Sequence, residues 1–588
     1  MDPRAAARIS RTWRGGHVEE HAGKGDGLAR ALDEGGARAL AGLLAPDVER
    51  VELEDADVRV EVERSFSGLA RVHTRWATGE ESVQDIPVEV RVGDLGDALH
   101  DPARTLHFRQ GEWFEGPPMG AADFILPAIY PEQLGSGAFR RAHGVRAAYV
   151  AGAMAGGIAG TRLVQAMGKS GLLGYFGAGG LALEAVEAAV ATLAREANGD
   201  VFGANLLHNP AEPGIEEKTV DLYLVHGVRD VDASAYMNLT PAVVRYRLTG
   251  IHQDGDRIVV PNRLAAKVSR PEVAEPFLRP APAGMVAELV QRGVISEAQA
   301  RLASQVPMAD DITAEADSGG HTDRRPLPVL IPVLRRLADR VTAEQGYLER
   351  PRVGAAGGIG DPWSLAAALQ LGADYVMTGS VNQATVEADT SELVKGMLAE
   401  AAFSDVIEGP APDMFEIGAK VQVLARGTMY AKRAERLHDL YTTYEGLDAI
   451  PVAERERVEK QLFLRPLAEV WAETEQYWAK RDPREVERAA REPRHQMALT
   501  FRWYLGMSSR WARTGDAARK RDFQIWCGPA MGLFNDWVRG SWLEPLAERK
   551  IAVVADSLMR GACVALRLQM LRSAGLPTEI SHALAPHR

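Results

Sequence analysis

Three successive segments of this chain run from strand-like sequence straight into glycine. Residues 312–316 lead to Gly319-Gly320-His321, residues 352–356 to Gly357-Gly358, and residues 374–379 to Gly379-Ser380. In the first, Ile312, Ala314 and Ala316 alternate with Thr313 and Glu315, a period of two that reads as a strand. Glycine at a strand tip lets a flat ligand lie against bare backbone, and an imidazole beside it can give or take a proton near neutral pH. Repeated strand–glycine–helix units close into a (β/α)8 barrel, which places its site at the C-terminal strand ends and a phosphate near the last two.

The surrounding sequence supplies the remaining strands. Candidates are 147–153, 172–177, 201–207, 230–235 and 264–269, followed by 312–316, 352–356 and 374–379, with helical segments between them. The helix after 352–356 has a clear start and stop: Asp361 as N-cap, Pro362 in the first turn and Gly372 as C-cap. Eight strands alternating with helices predict an α/β fold, a TIM barrel over 125–425. Residues 270–308 exceed an ordinary connection and read as a helical insertion covering the site. The stretch 1–120 is an α/β-rich extension. Its first 45 residues read as helical or loose, 48–110 as a β-rich domain with valine alternating with charge, and GEWFEGPPMGAADFILPAIYP as a linker. Residues 426–588 read as a helical C-terminal region.

Composition narrows the function. A chain of 588 residues is too long for one core and suggests about three or four domains, or one large barrel with additions. A net charge of -12 argues against general nucleic-acid binding. Two cysteines, Cys527 and Cys563, with no Cys/His cluster, argue against structural zinc and fit a reducing cytoplasm. The most apolar region, 147–194, is interrupted by Arg162 and Lys169, and the N-terminus has no apolar signal core, so no membrane association is expected.

Single motifs leave alternatives open. Gly177 to Ala182 loosely matches a dinucleotide fingerprint but reads better as one more strand–helix turn. Asn205 can hydrogen-bond a ring edge or close an Asx turn. Lys267, a cation ending an apolar strand, needs a partner, which a cofactor or a salt bridge would supply. Asp310, Asp311, Glu315, Asp317 and Asp323 match no calcium loop and read as structural or solvated carboxylates, so no metal is expected. Cys527 reads as a buried thiol, and Phe534, Trp537, Val538 and Trp542 as helical packing.

Taken together, YVAGAMAGGIAGTRLVQAMGKSGLLGYFGAGGL, GANLLHNP, ASAYMNLTPAVVRYR, AKVSRP, VPMADDITAEADSGGHTD, MTGSVNQ and WCGPAMGLFNDW resemble the PfaD family. Its members are trans-acting flavin-dependent enoyl reductases of polyunsaturated fatty acid synthases and trans-acyltransferase polyketide synthases. The resemblance covers about residues 130–545, and the barrel is more distantly similar to nitronate monooxygenases. It implies FMN as cofactor and NADPH as co-substrate. The cofactor would be contacted by Gly152, Ala153, Met154, Asn205, Lys267, Gly319, Gly320, Gly357, Gly358, Gly379 and Ser380. His321 would be the catalytic residue. The implied substrate is an enoyl thioester on an acyl carrier protein, and a homodimer is compatible with it. A carrier would dock on a basic face, for which Arg502, Arg510, Arg513, Arg519, Lys520 and Arg521, or Arg426, Lys432 and Arg433, are candidates; ordinary solvated helix faces are the competing reading. Two other functions fit the same residues: a nitronate monooxygenase-type oxygenase using the same histidine, and a non-catalytic flavin-bound scaffold of the synthase.

Overall fold

The computed structural model describes residues 6–13, 18–24, 48–54, 58–64, 69–87, 90–116, 121–208, 212–320, 322–576 and 584–586. The chain divides into two compact units, Glu132–Met559 and Met1–Pro131 together with Arg560–His587.

The larger unit is built on a closed parallel barrel of eight strands. These are β1 (Tyr149–Ala151), β2 (Leu173–Phe176), β3 (Gly203–Leu207), β4 (Asp230–Ser234), β5 (Arg263–Val268), β6 (Asp311–Glu315), β7 (Arg352–Ala356) and β8 (Val376–Thr378). All eight fall within the segments expected from sequence, give or take a residue at the ends. Val150 of β1 pairs with Leu173 on one side and Met377 on the other, which closes the ring. The helix after β7 starts as expected: Asp361 accepts from the Ser364 N–H at 2.8 Å with Pro362 in the first turn, and Gly372 follows the helix at φ +96°.

Packing inside the barrel depends on pairing large residues with none. A side chain at Gly203 would strike the Tyr175 ring, and one at Gly354 would strike Tyr375. On β6, Ile312 and Ala314 are fully buried. The alternate residues Asp311, Thr313 and Glu315 reach partners on or just before other strands: Arg352 of β7, the Tyr375 hydroxyl before β8 and Lys267 of β5. The polar half of this alternation therefore lines the barrel, and the apolar half faces the helices. Below the strands, the helix Gly137–His143 closes the base, with Phe139 stacked on Tyr375 at 4.4 Å.

The insertion between β5 and β6 is helical, as expected, but it does not cover the mouth. Pro271–Leu278 packs on the helix Leu327–Gln345, whereas Ala283–Gln291 and Glu297–Ala303 pack on Pro241–Leu248. Glu297–Ala303 also meets the strand His252–Asp254, part of the hairpin that feeds the N-terminal end of β5. The apolar faces of these helices thus follow the flank and base of the barrel. The region after the barrel is mostly helical, with Tyr430–Thr443, Leu467–Arg481 and Pro493–Thr514 among its main elements.

The smaller unit corrects two expectations. Ala6–Trp13 and Val18–Lys24 are strands of a six-stranded antiparallel sheet, not helical or loose segments. Pairing with Val48–Glu54 decides the matter there, since AARISRTW carries no strong strand pattern of its own. The expected linker also contributes Glu112–Glu115 and Phe124–Leu126 to a four-stranded sheet. The valine alternation did read correctly: Val51, Leu53, Val60, Val62 and Val72 are all buried. In the same unit, the buried Arg567 donates to the carbonyls of Asp101 and Arg104. No described helix is long and apolar enough to cross a membrane.

Candidate functional site

The cofactor-contact residues expected from sequence lie within barrel strands or just past their C-terminal ends. Gly152 follows β1, Asn205 and Lys267 lie in β3 and β5, Gly319 and Gly320 follow β6, Gly357 and Gly358 follow β7, and Gly379 and Ser380 follow β8. His321, the expected catalytic residue, lies outside the described residues. Its neighbours do not: the Gly320 N–H donates to Ser318 Oγ at 3.4 Å, and the Thr322 hydroxyl reaches the carbonyls of Glu315 and Ala316 at 2.8 and 2.9 Å.

Bare backbone dominates this rim. The Gly152 N–H donates to the Thr378 carbonyl at 2.9 Å, tying the tips of β1 and β8 together. Met154 is nearly buried, and its carbonyl lies where a side chain on Gly177 would have to go. The glycine-rich turn at 177 is therefore a barrel tip packed against the β1 loop, with no second nucleotide fold around it. Gly357 and Gly358 both have positive φ, at +89° and +70°. A side chain on Gly357 would collide with the backbone of Ala316 and Asp317, whereas Gly358 and Gly379 face open space. The N–H groups of Gly357, Gly358 and Gly379 make no hydrogen bond among the described residues. Unpaired N–H groups beside open space at two adjacent strand ends are a fit for a phosphate.

Lys267 sits between two carboxylates, with Nζ 3.6 Å from Glu315 Oε1 and 3.9 Å from Asp232 Oδ2. Burial pulls the ammonium down, but Glu315 and Asp232 together raise it above its ordinary value. It stays charged at neutral pH. Both distances exceed the usual hydrogen-bonding range, so the ammonium keeps donors available to a ligand. Asp232 is fully buried with neither carboxylate oxygen hydrogen-bonded, and burial pushes it up to about 6 against the pull of Lys267. Neither Asp232 nor Glu315 was singled out from sequence as a partner of Lys267; the one available signal was the aspartates at alternate positions of β4, Asp230 and Asp232. Asn205 uses its amide N–H groups on the Asp232 carbonyl at 2.8 Å and on Ser234 Oγ at 2.7 Å. This locks β3 to β4 and leaves the amide oxygen as its free acceptor.

The wall over the mouth comes from after the barrel. The Gly528 N–H donates to Ser380 Oγ at 2.9 Å, and Gln383 reaches the Trp526 carbonyl. Backbone contact is so close that a side chain on Gly319 would press on Cys527, and one on Gly360 on Ala530. Gln422, in the hairpin of Val406–Pro410 and Lys420–Leu424, accepts from the Cys527 N–H through its backbone carbonyl and donates to Asp317 from its side chain. Arg513 reaches over to the Gly156 carbonyl in the loop after β1. Cys527 is fully buried and its thiol is pushed up to about 12 by burial, so it is no nucleophile. The other acidic residues noted in the sequence each take a partner: Asp310 binds Arg247, Asp311 binds Arg352, and Asp323 binds Arg270.

The sequence model of the nitronate monooxygenase family matches residues 143–408, and that of the inserted helical domain of [acyl-carrier-protein] S-malonyltransferase matches residues 444–523. A component of the polyunsaturated fatty acid synthase of a Thraustochytrium species is 45% identical over 462 residues, which are 77% of this chain and 31% of that protein. Polyketide biosynthesis protein ThaF of Burkholderia thailandensis is 46% identical over 453 residues, 77% of this chain and 39% of its own length. Polyketide biosynthesis protein PksE of Bacillus subtilis is 42% identical, with 76% of this chain and 58% of PksE covered. The chain thus spans less than two thirds of the length of each of these relatives. The enoyl reductase domain of MlnA, from the macrolactin biosynthesis cluster of Bacillus amyloliquefaciens, is 36% identical with a TM-score of 0.72 over 75% of this chain and 99% of that one. By these similarities and by its barrel, the chain belongs to the PfaD-like enoyl reductases, within the nitronate monooxygenase group.

Proposed function

We propose that this protein reduces the α,β-double bond of enoyl thioesters carried on an acyl carrier protein, in polyketide or polyunsaturated fatty acid synthesis, using FMN and NADPH. The observation that carries this reading is the 36% identity across 99% of the MlnA enoyl reductase domain. When bound, FMN supplies the hydride relay from NADPH to the substrate β-carbon. The N–H groups of Gly357, Gly358 and Gly379, with the Ser380 hydroxyl, hold its phosphate. Gly152, Ala153, Gly319 and Gly320 offer a surface low in side-chain bulk to a flat ring, with the Met154 backbone beside them, and Asn205 offers its amide oxygen to the ring edge. Lys267 holds a positive charge at the mouth, which favours an electron-rich ring. His321 supplies the proton.

The test is direct. The protein should purify yellow, release FMN on denaturation at one per chain, bleach with NADPH under anaerobic conditions, and regain colour on addition of an enoyl thioester. Release of FAD would overturn the phosphate assignment. Recovery of colour with oxygen and a nitronate but not with an enoyl thioester would replace the proposal by an oxygenase.

The phosphate cradle gives a second prediction. Gly358→Val puts a branched side chain at φ +70° and into the open space beside the free N–H groups. Backbone strain of that kind costs on the order of 1–3 kcal/mol of stability, and a loop that shifts to relieve it displaces the N–H groups, so FMN affinity should fall. Titration of apoprotein by quenching of flavin fluorescence measures it, and unchanged affinity would remove Gly358 from the cradle.

A further inference from the structure

The structure separates the basic residues that have structural duties from those that have none. Arg519 is buried over the Trp511 ring and bonded to the carbonyls of Leu462 and Phe463. Arg433 is paired with the buried Asp522, Arg502 with Glu416, and Arg513 with the Gly156 carbonyl. By contrast, Lys432, Lys520 and Arg521 are exposed and make no ion pair among the described residues. These three belong to one patch. The Met429 N–H donates to the Arg521 carbonyl at 2.7 Å, and Lys432 follows Met429 by three residues in the first turn of the helix Tyr430–Thr443. Arg426 lies in the turn that the Thr428 N–H closes on the Ala425 carbonyl, and the Ala425 N–H in turn bonds the carbonyl of Asp405. Phe403, two residues before Asp405, is 71% exposed, and Met429 is 42% exposed. The acids nearby are Asp405 and Glu400, which face Arg426 at 3.5 and 3.9 Å, and Glu435, which is paired with Lys420.

This patch adjoins the mouth. Gly532 packs directly on the backbone of Phe403, four residues along from Gly528, whose N–H is on Ser380. From Arg521 the chain runs through Phe523–Trp526 into the same wall. Two exposed apolar side chains among four exposed cations stand out in a chain of net charge -12, which repels an acidic partner over most of its surface.

We infer that Phe403, Met429, Arg426, Lys432, Lys520 and Arg521 form the docking surface for an acidic carrier domain that delivers its thioester on a phosphopantetheine arm over the Trp526–Gly528 wall into the barrel mouth. This rests on the proposed reading of the site as an enoyl-thioester reductase. None of the six is part of the flavin or proton machinery.

The test compares the wild-type holoenzyme with the triple variant Lys432→Glu/Lys520→Glu/Arg521→Glu, using crotonyl-loaded acidic acyl carrier protein and crotonyl-pantetheine. KM for the carrier-bound substrate should rise about tenfold or more at low salt, and the gap should close as salt screens exposed charge. Turnover of crotonyl-pantetheine and flavin content should not change, which reports intact folding. Arg510→Glu, an exposed change outside the patch, should alter neither. Equal KM values for wild type and triple variant with the carrier substrate would overturn the surface. If wild type reduces neither substrate, the reductase reading fails on its own. Fluorescence anisotropy of labelled holo-carrier protein then still decides the surface, because binding must weaken in the triple variant and in Phe403→Ser. Binding of anionic vesicles in place of the carrier, lost in the same variants, would overturn the carrier assignment and give the patch to a lipid surface.

Discussion

Replacing His143 by alanine is expected to destabilise the larger unit by about 3–5 kcal/mol, the cost of removing one partner from a buried ionic cluster. His143 ends the helix that closes the barrel base and is 2% exposed. Its Nδ1 lies 2.6 Å from Asp230 and its Nε2 2.9 Å from Asp311. An imidazole with a carboxylate at each nitrogen donates from both, so it carries a positive charge. Burial opposes that charge, yet Asp311 and Asp230 together raise His143 to about 9. Burial alone would also raise the Asp311 carboxyl, but Arg352 and His143 hold it well below the usual range. Arg263 completes the cluster on Asp230 at 2.6 Å. The sign follows from the raised value. The contribution of His143 is fully present below pH 6.5, its unfolded value, and disappears as pH rises through about 9. Melting curves between pH 6 and 10 should therefore show wild-type Tm falling across that window, with His143→Gln lacking this component of the slope. Parallel profiles for the two proteins would mean that His143 is neutral in the folded state.

That cluster was invisible in the sequence, and the reason is physical. Asp230, Arg263, Asp311 and Arg352 each begin a different barrel strand, and only closure of the ring brings them to one point beneath His143. The strands themselves were legible because each is a short apolar or alternating run, most of them punctuated by glycine, and the period of two survives whatever surrounds it. What the period does not reveal is which face looks inward. In β6 the buried interior contacts belong to Asp311, Thr313 and Glu315, and the apolar Ile312 and Ala314 face outward to helices. The glycine tips were legible for the same local reason: Gly357 and Gly358 need positive φ, a property of one residue and not of its surroundings. The cover of the mouth was misplaced. Residues 270–308 were long enough to be a lid, but length does not fix direction, and the segment that crosses the mouth is Trp526–Gly528, far along the chain. The strands Ala6–Trp13 and Val18–Lys24 were missed because partner strands, and not their own residues, impose extension on them.

Replacing His321 by alanine should leave FMN bound and NADPH oxidation intact while enoyl reduction falls about 10²–10⁴-fold, the usual contribution of a positioned proton donor. The other titratable groups at the strand ends explain why no other residue is expected to compensate. Cys527 packs against Gly319, but its thiol is buried and pushed up to about 12, and its sulfur is already turned to the Gly528 carbonyl at 3.4 Å. Asp232 has an accessible value, about 6, but is fully buried and held beside Lys267. Lys267 is raised above its ordinary value by Glu315 and Asp232, which makes it a weaker acid than a free lysine. Its charge suits it to hold a ring, not to surrender a proton. Gly320 and Thr322 are anchored to the end of β6 through Ser318 and through the carbonyls of Glu315 and Ala316. Single-turnover reoxidation of NADPH-reduced enzyme by crotonyl-pantetheine isolates the step, since carrier docking plays no part in it. A rate unchanged from wild type would eliminate His321 as the donor. Comparison with Lys267→Met would then show whether the ammonium, despite its raised value, delivers the proton instead.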